Sequence, residues 1–509
     1  MLFAWSLAAS AASLDLLEVG GAYGTVAATN PTALWWNPAG LAVGGGTQIM
    51  LEAAPTFGGL NVDRTNPDYG TLVEYPDFPT TYDYSGSERY SSIGVVPFLG
   101  VSSDLTVPGL GVGLGLYVPT GKAAASDEEW GASRYSAREG NIQTVHLSLG
   151  AAYRIKELVS IGLSGSLVNS RWYGNSDASV YPDLAEKVRD TLGGTLAETY
   201  QDGFIEDRAY TATLVLGGLE DDGGHGLLTD TTFTFGGGVY VTPTDRVGIS
   251  LGWNQGVSLS HEGSVSFVFQ CPPEYDPDSF NAATDGGTCG TTIPGQATLA
   301  YKLPSRLHLG VAVLPVERVR LELMGAWVGW HVLQDYKVDI LVNPSDVPVD
   351  DSQFALPTAE LLRQDRLLAR GAKDSFWVGL DGKVEVEEHV TVGGRLTFDK
   401  AAIPTEYVSA SNIDADTFML QGMTQIRPVP RLGIGLSYSY AASGARTVSN
   451  SVFSQDLARA SVESPDYYKL DDAVDRTFYP STNGTYGLGI HRIGVSVQAR
   501  LGKVATGGL

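Results

Sequence analysis

No stretch of this chain approaches the about 20 consecutive apolar residues that a membrane-spanning helix needs. If the protein crosses a bilayer it must do so as a closed β-barrel, because only helices and edgeless sheets satisfy every backbone polar group in hydrocarbon. Positive charge is scarce as well: 33 Lys and Arg against 57 Asp and Glu leave a formal charge of −24. That balance excludes a nucleic-acid partner, since neutralising phosphates requires the opposite sign. With aromatics at 10% of the chain, the composition is also too aromatic for disorder.

Cysteine is nearly absent. Cys271 and Cys289 bracket the acidic, Pro/Gly-rich stretch "CPPEYDPDSFNAATDGGTC", and neither has another thiol with which to pair. A loop disulfide in an oxidising compartment is the favoured reading, contributing about 3 kcal/mol for a loop of this size; two free thiols are the alternative. Catalytic signatures are missing too. There is no Gly-x-Ser-x-Gly elbow, no His-Glu-x-x-His and no phosphate loop. Of the seven histidines, His146 and His308 fall on predicted inward faces, but spacing identifies no serine partner. The acidic runs Asp127-Glu128-Glu129, Glu220-Asp221-Asp222 and Asp276 to Asp285 lack the spacing of a calcium loop, so they read as solvated loops. Neither an enzyme, a cofactor nor a metal is expected.

What the chain has in excess is glycine, 62 residues in 509, well above the ordinary ~7%. Glycine disfavours helix interiors, so a large β protein fits better. The glycines fall into period-two alternation. In "RLGIGLSYSYA", Leu432, Ile434, Leu436, Tyr438 and Tyr440 alternate with Gly433, Gly435, Ser437 and Ser439, and similar ribbons recur in "LGVGLGLYV", "VTVGGRLTF" and the closing Arg492–Leu501 segment. Strands are expected near 47–56, 91–103, 110–118, 141–154, 159–173, 231–242, 246–258, 305–314, 319–334, 375–386, 389–399, 416–427, 431–441 and 487–501. This makes an all-β, antiparallel transmembrane barrel of about 14 strands, an even number as bacterial barrels require.

The connections supply an independent test. Short links such as "DLTVPG", "RIKEL", "TPTDR" and "PVER" alternate with long ones around 57–90, 119–140, 174–230, 259–304, 335–374, 400–415 and 442–486. A soluble sandwich has no reason to keep that parity, whereas a membrane barrel has short periplasmic turns and long extracellular loops. The apolar face must then meet lipid, and the Gly/Ser/Thr/Arg face must line the lumen. Trp172, Tyr173, Trp253, Trp327, Trp330, Tyr438 and Tyr440 suit interfacial girdles as a group, with an inward position the alternative for some of them. Helical spacing in "YPDLAEKVRDTLGGTLAETY" and "LPTAELLRQDRLLARGAKD", the latter stopping at Gly371, predicts partly helical extracellular loops.

The expected organisation is a signal-peptide remnant over 1–13, an N-terminal segment over 14–46, a barrel over 47–501 and a tail over 502–509. Within the N-terminal segment, "GGAYGTVAATNPTALWWNPAGLAVGGGTQ" joins two tryptophans to a tight Asn-Pro turn. With "LPSRLHLGVAVLP" and the "WVGLDGKVEV…VTVGGRLTFD" pair, it resembles the outer-membrane transport family typified by the long-chain fatty acid transporter FadL and its toluene-associated relatives. The resemblance implies a monomeric fourteen-stranded barrel plugged by an N-terminal hatch containing Asn37, Pro38, Ala39 and Gly40. It also implies an inward kink in the third strand, here the one carrying Gly111, Gly113 and Gly115, as a lateral exit for hydrophobic substrates such as long-chain fatty acids or hydrocarbons. Small lumen-facing glycines would equally accommodate a plug. Outer-membrane lipid and lipopolysaccharide are the expected surroundings.

Trp35 and Trp36 are candidates for substrate contact or for packing the hatch. A carboxylate ligand would need a cation, and Arg306, Arg320, Lys383, Arg395 and Arg492 fall on inward faces; Glu322 and Asp381 share those faces, so lumen salt bridges are the alternative use. A general diffusion porin and an outer-membrane lipid hydrolase are the competing functions.

Overall fold

The computed structural model describes residues 15–65, 85–128, 130–179, 211–220, 224–270, 290–343, 366–452 and 482–501. Cys271, Cys289, the predicted helix near 181–200 and the two ends of the chain lie outside the described residues. After an N-terminal segment carrying two short helices, α1 (Ala33–Trp36) and α2 (Leu41–Gly44), the chain is almost entirely strand. In order these are β1 (Thr47–Arg64), β2 (Gly86–Ser103), β3 (Leu110–Ser126), β4 (Glu139–Ile155), β5 (Val159–Ser179), β6 (Thr211–Leu216), β7 (Leu228–Thr244), β8 (Val247–Asn254), β9 (Val257–Phe269) and β10 (Thr292–Leu303). There follow β11 (Arg306–Val316), β12 (Val319–Val328), β13 (Asp335–Val342), β14 (Arg366–Ala369), β15 (Ser375–Glu387), β16 (Val390–Asp399), β17 (Thr417–Val429), β18 (Leu432–Ser443), β19 (Arg446–Val448) and β20 (Gly484–Leu501).

All strands belong to one antiparallel sheet, and β1 pairs with both β2 and β20, which closes it into a barrel. The sheet holds twenty strands rather than about 14. Counted over the described residues, the difference is six strands above the membrane, where β6, β9, β10, β13 and β14 pair with one another and with the upper part of β5 and β19 pairs with β20, in stretches read from sequence as loops. The helical spacing read through Leu367, Leu368 and Gly371 is likewise corrected. Residues 366–369 pair with 335–338 as strand, and Gly371 follows with a left-handed φ of 56°.

Facing follows polarity. On β18, Gly433, Gly435, Ser439 and Ala441 are buried while Ile434, Leu436, Tyr438 and Tyr440 are exposed. On β1 the exposed apolar residues Ile49, Leu51 and Phe57 give way to Asn61 and Asp63, although the strand runs for 18 residues. A membrane strand needs only about 9–11, so the upper part of the barrel stands clear of hydrocarbon. There the outside is polar and the inside is apolar. On β20 the inward residues change from Arg492, Gly494 and Ser496 to Tyr486, Leu488 and Ile490. Between β8 and β9 the break at Gln255-Gly256 shifts the inward parity from Asn254 to Val257, and Pro304-Ser305 does the same between Leu303 and Arg306. Water outside favours the polar face outward, so the greasy face turns in.

Candidate functional site

Residues 15–46 contact strands on every side of the ring. Asn37 caps the turn at Pro38–Gly40: its Oδ1 accepts from Ala39 N (3.0 Å), and its Nδ2 donates to Val239 O on β7 (2.9 Å) and Ser250 Oγ on β8 (2.7 Å). Ser250 Oγ in turn donates to Val26 O (2.6 Å), and Asn254 Nδ2 donates to Trp35 O (3.1 Å). Lumen glycines make room for this path. A Cβ would sit 2.3 Å from Leu41 backbone at Gly111, 2.3 Å from Ala39 N at Gly162, and 2.2 Å from Trp36 O at Gly252.

Trp35 and Trp36 are buried. The Trp35 ring meets Tyr117 at 6.0 Å, His146 at 5.8 Å and His308 at 6.2 Å, with the Arg306 guanidinium 5.4 Å over it. Trp36 packs on His308 and Trp377 and donates from Nε1 to Val19 O (3.0 Å). Both rings wedge the N-terminal segment between opposite walls.

The charged lumen residues named from sequence are all engaged by this segment or by acidic neighbours. Arg306 pairs with Asp15, and Arg492 with Glu18 (3.3 Å) and Glu52 (3.4 Å). Arg395 bonds Asp381 (3.2 Å) and donates to Gly24 O (2.8 Å), while Lys383 lies 3.5 Å from Asp381. Arg320 bonds Glu322 (2.7 Å) and Ala27 O (3.1 Å), and Glu322 accepts from Ala27 N (2.8 Å), so both backbone polar groups of Ala27 are clamped. Salt bridging is what these side chains do in the structure; none of Trp35, Trp36, Arg320, Lys383 and Arg395 lines the main cavity.

That cavity, about 450 Å³, lies in the upper, apolar-lined part of the barrel. Tyr90, Tyr135, Ile142, Trp172, Tyr173, Leu214, Leu216, Tyr336, Val338 and Tyr407 supply its rings and alkyl groups. Two cations join them: Lys122, whose Nζ donates to Ile413 O (3.3 Å), and Arg370, whose guanidinium stacks 4.3 Å over Tyr336. Sequence reading missed both. Lys122 sits beyond the alternating part of β3, and Arg370 lies in a stretch with helical spacing.

The wall is interrupted between β2 and β3. β2 and β3 pair from Phe98↔Tyr117 down to Ser103↔Val112 and again at Ser91↔Ala125, with no pairing between. On its other side β3 keeps its ladder with β4, with a register shift between Tyr117 and Thr120. Over Tyr117–Gly121 every residue is buried. The N-terminal segment occupies the break: Asp15 bridges Thr120, Leu16 N donates to Pro119 O (2.8 Å), and Leu16 packs with Ala54, Val96 and Val118. The departure therefore begins past Gly111, Gly113 and Gly115, which lie in the paired part of β3 against Leu34 and Leu41. A smaller space of about 40 Å³ beside Leu16, Val96 and Thr56 adjoins the break.

Among the described residues no histidine stands in a Ser–His–acid array. Both ring nitrogens of buried His308 lack partners, as does Nδ1 of His146. One Ser–His hydrogen bond exists, Ser170 Oγ to His261 Nε2 at 2.8 Å, but both residues are fully buried, His261 Nδ1 has no acidic partner, and neither lines the cavity.

A closed antiparallel sheet with a greasy band outside, a polar and internally occupied bore, and short turns at one end defines a β-barrel of the bacterial outer membrane. The chain belongs to the outer membrane protein transport protein family (OMPP1/FadL/TodX), whose model matches residues 2–462. Among solved structures it is similar to a Pseudomonas aeruginosa FadL homologue, with 14% identity, 97% of this chain and 99% of that one covered, and a TM-score of 0.67. The Pseudomonas putida toluene transporter TodX matches at 13% identity, covering 96% and 99% of the two chains with a TM-score of 0.59. The CymD monoaromatic hydrocarbon channel matches at 10% identity over 93% and 94%, with a TM-score of 0.58. No curated protein matches the chain in sequence.

Proposed function

We propose that the protein carries hydrophobic molecules, long-chain fatty acids or hydrocarbons, passively inward across the outer membrane. Extracellular loops capture the solute, the apolar cavity receives it, residues 15–46 act as a hatch, and the solute leaves sideways between β2 and β3. The observation that carries this reading is a clamped bore beside an interrupted wall: charged groups hold the N-terminal segment below the cavity, while at the break between β2 and β3 the described part of that segment sets Asp15 against Thr120 and Leu16 among apolar neighbours. A methylene prefers hydrocarbon to water by about 0.8 kcal/mol, so an alkyl chain gains nothing from a watery pore and much from a route that ends in lipid. Lys122 and Arg370 suit an acidic head group, and the surrounding rings suit the tail. In this scheme Asn37, Pro38, Ala39 and Gly40 hold the hatch turn in place, and the chain works as a monomer.

Proteoliposomes test it. The intact chain should take up a fluorescent long-chain fatty acid or an aromatic hydrocarbon while excluding sugars in a swelling assay, and Ala124→Trp, which fills the cavity, should slow uptake at least tenfold. Free sugar permeation without uptake of the hydrophobic probe would leave the porin reading in its place.

A further inference from the structure

Lysine is scarce in this chain, ten residues in 509, yet four of them stand side by side on the outside of the barrel. Lys302 is on β10, Lys337 on β13, Lys373 just before β15 and Lys400 just after β16, all exposed. Their inward neighbours Tyr301, Tyr336, Ala372 and Asp399 are buried, so the lysines belong to the outer face. β10 pairs with β13 and β15 with β16, and the two pairs meet where His331 N donates to Asp374 Oδ1 (3.1 Å) and Arg370 N to Gln334 O (2.7 Å).

Directly below runs a band of exposed aromatics. Trp253 and Trp327 flank Leu307 in register, Trp327 pairs with Phe376, and the Phe398 ring lies 6.3 Å from Phe376 and 5.0 Å from Phe418. Such a band marks the boundary between hydrocarbon and head groups. The lysine row is tied to it at Lys400, whose N donates to Phe376 O (3.0 Å), and Lys373 stands two residues before Ser375, the start of the strand that carries Phe376. The four ammonium groups therefore stand at head-group height, on the side of the long loops.

We propose that this row is a binding site for the phosphates of a phosphorylated glycolipid of the outer leaflet, lipopolysaccharide. Lysine ammoniums on flexible stems above an aromatic band suit phosphates that hang at one depth but vary in lateral position. Three carboxylates share the patch: Asp339 pairs with Lys337 (2.8 Å), Asp416 with Lys400 (2.7 Å), and Asp374 with His331 (2.6 Å). Solvent-exposed pairs of this kind hold their partners weakly, so a phosphate replaces the carboxylate readily. Lys302 and Lys373 make no ion pair among the described residues and meet the phosphate first. Elsewhere on the same rim single exposed arginines, Arg89 on β2 and Arg171 on β5, stand among polar and acidic residues such as Asn61, Asp63, Ser260 and Glu262; the lysines form a sector rather than a collar.

The test uses the full chain purified in detergent, titrated with diphosphorylated lipid A and with its dephosphorylated form, and read by native mass spectrometry. The wild-type protein should bind the phosphorylated form more tightly, with an affinity that falls as salt rises. K302Q/K337Q/K373Q/K400Q should weaken binding at least tenfold and abolish the preference, whereas R154Q/K156Q at a short turn should change nothing. D339N/D416N should bind more tightly than wild type. Unchanged heat-modified migration on gels establishes that each variant is folded; where the quadruple variant is not, single Lys→Gln changes should each cost about twofold. Equal binding of both lipid forms, or lysine-free variants that bind as wild type does, overturns the proposal.

Discussion

Gly252 carries more of the structure than its missing side chain suggests. Its α-carbon faces the carbonyl of Trp36 so closely that an added methyl would stand 2.2 Å from that backbone oxygen. No rotamer relieves such a contact. Gly252→Ala should therefore push the N-terminal segment off β8, break the hydrogen bonds of Asn37 and Ser250, and destabilise the protein by about 2 kcal/mol; urea unfolding in detergent followed by tryptophan fluorescence measures it. The same residue marks what was legible in the sequence at this scale. That glycines line the inner face could be read from alternation, and so could their use in making room for a plug. Which partner each meets could not, because Gly252 and Trp36 are 216 positions apart and only ring closure brings them together. The lumen cations are a parallel case: their inward facing was readable on Arg320 and Arg395, but their binding to the carbonyls of Ala27 and Gly24 depends on where a distant segment lies.

Among the elements, legibility divides by height. Strands bathed in hydrocarbon alternate large apolar with small polar residues, so β18 and β16 stand out. Above the membrane, β10 and β13 have modest apolar faces directed inward and prolines or short helical turns at their ends, and β14 spans four residues inside a leucine-rich run with helical spacing. Tertiary pairing overrode local pattern there. Residues 400–415, read from sequence as a loop, carry no strand, and a buried acid helps to order them. Burial pushes the Asp414 carboxyl up to about 7, against the opposing pull of the Ile403 and Ala402 amides that donate to it (2.8 and 2.5 Å). Because the folded loop holds its proton to higher pH than the unfolded chain, the associated stability is complete below about pH 4 and is lost as pH rises through about 7. Hydrogen exchange at the Ala402 and Ile403 amides, corrected for intrinsic rates, should show local opening becoming easier over that interval. Asp414→Asn should flatten the dependence.

At the level of the whole molecule, the barrel and its contents are separable in principle. The strands find their ladder partners in other strands, and among the described residues the N-terminal segment joins a strand by main-chain pairing at the Asp15–Thr120 bridge and the bond from Leu16. Deleting residues 1–46 should therefore leave a closed barrel with unchanged β content by circular dichroism. It should also leave Glu52, Glu322, Asp381, Arg306 and Arg395 facing water, and planar-bilayer recordings should register ion conductance at least tenfold above that of the intact chain. A conductance equal to the intact protein's would mean that the loops, not this segment, seal the bore.

The interruption between β2 and β3 has a mechanical side. In the lower ring most neighbouring strands are laced by successive main-chain bonds, as β1–β2, β4–β5 and β12–β15 are, so a hoop of this kind resists being prised apart as strongly as its weakest ladder. Here Pro97 and Pro119 flank the unlaced stretch and have no amide hydrogen to donate, which reduces the number of orphaned groups left by the slit. The cylinder thus carries a seam at the backbone level, a line along which a stretched or thinned bilayer would part it with few ladder bonds to break.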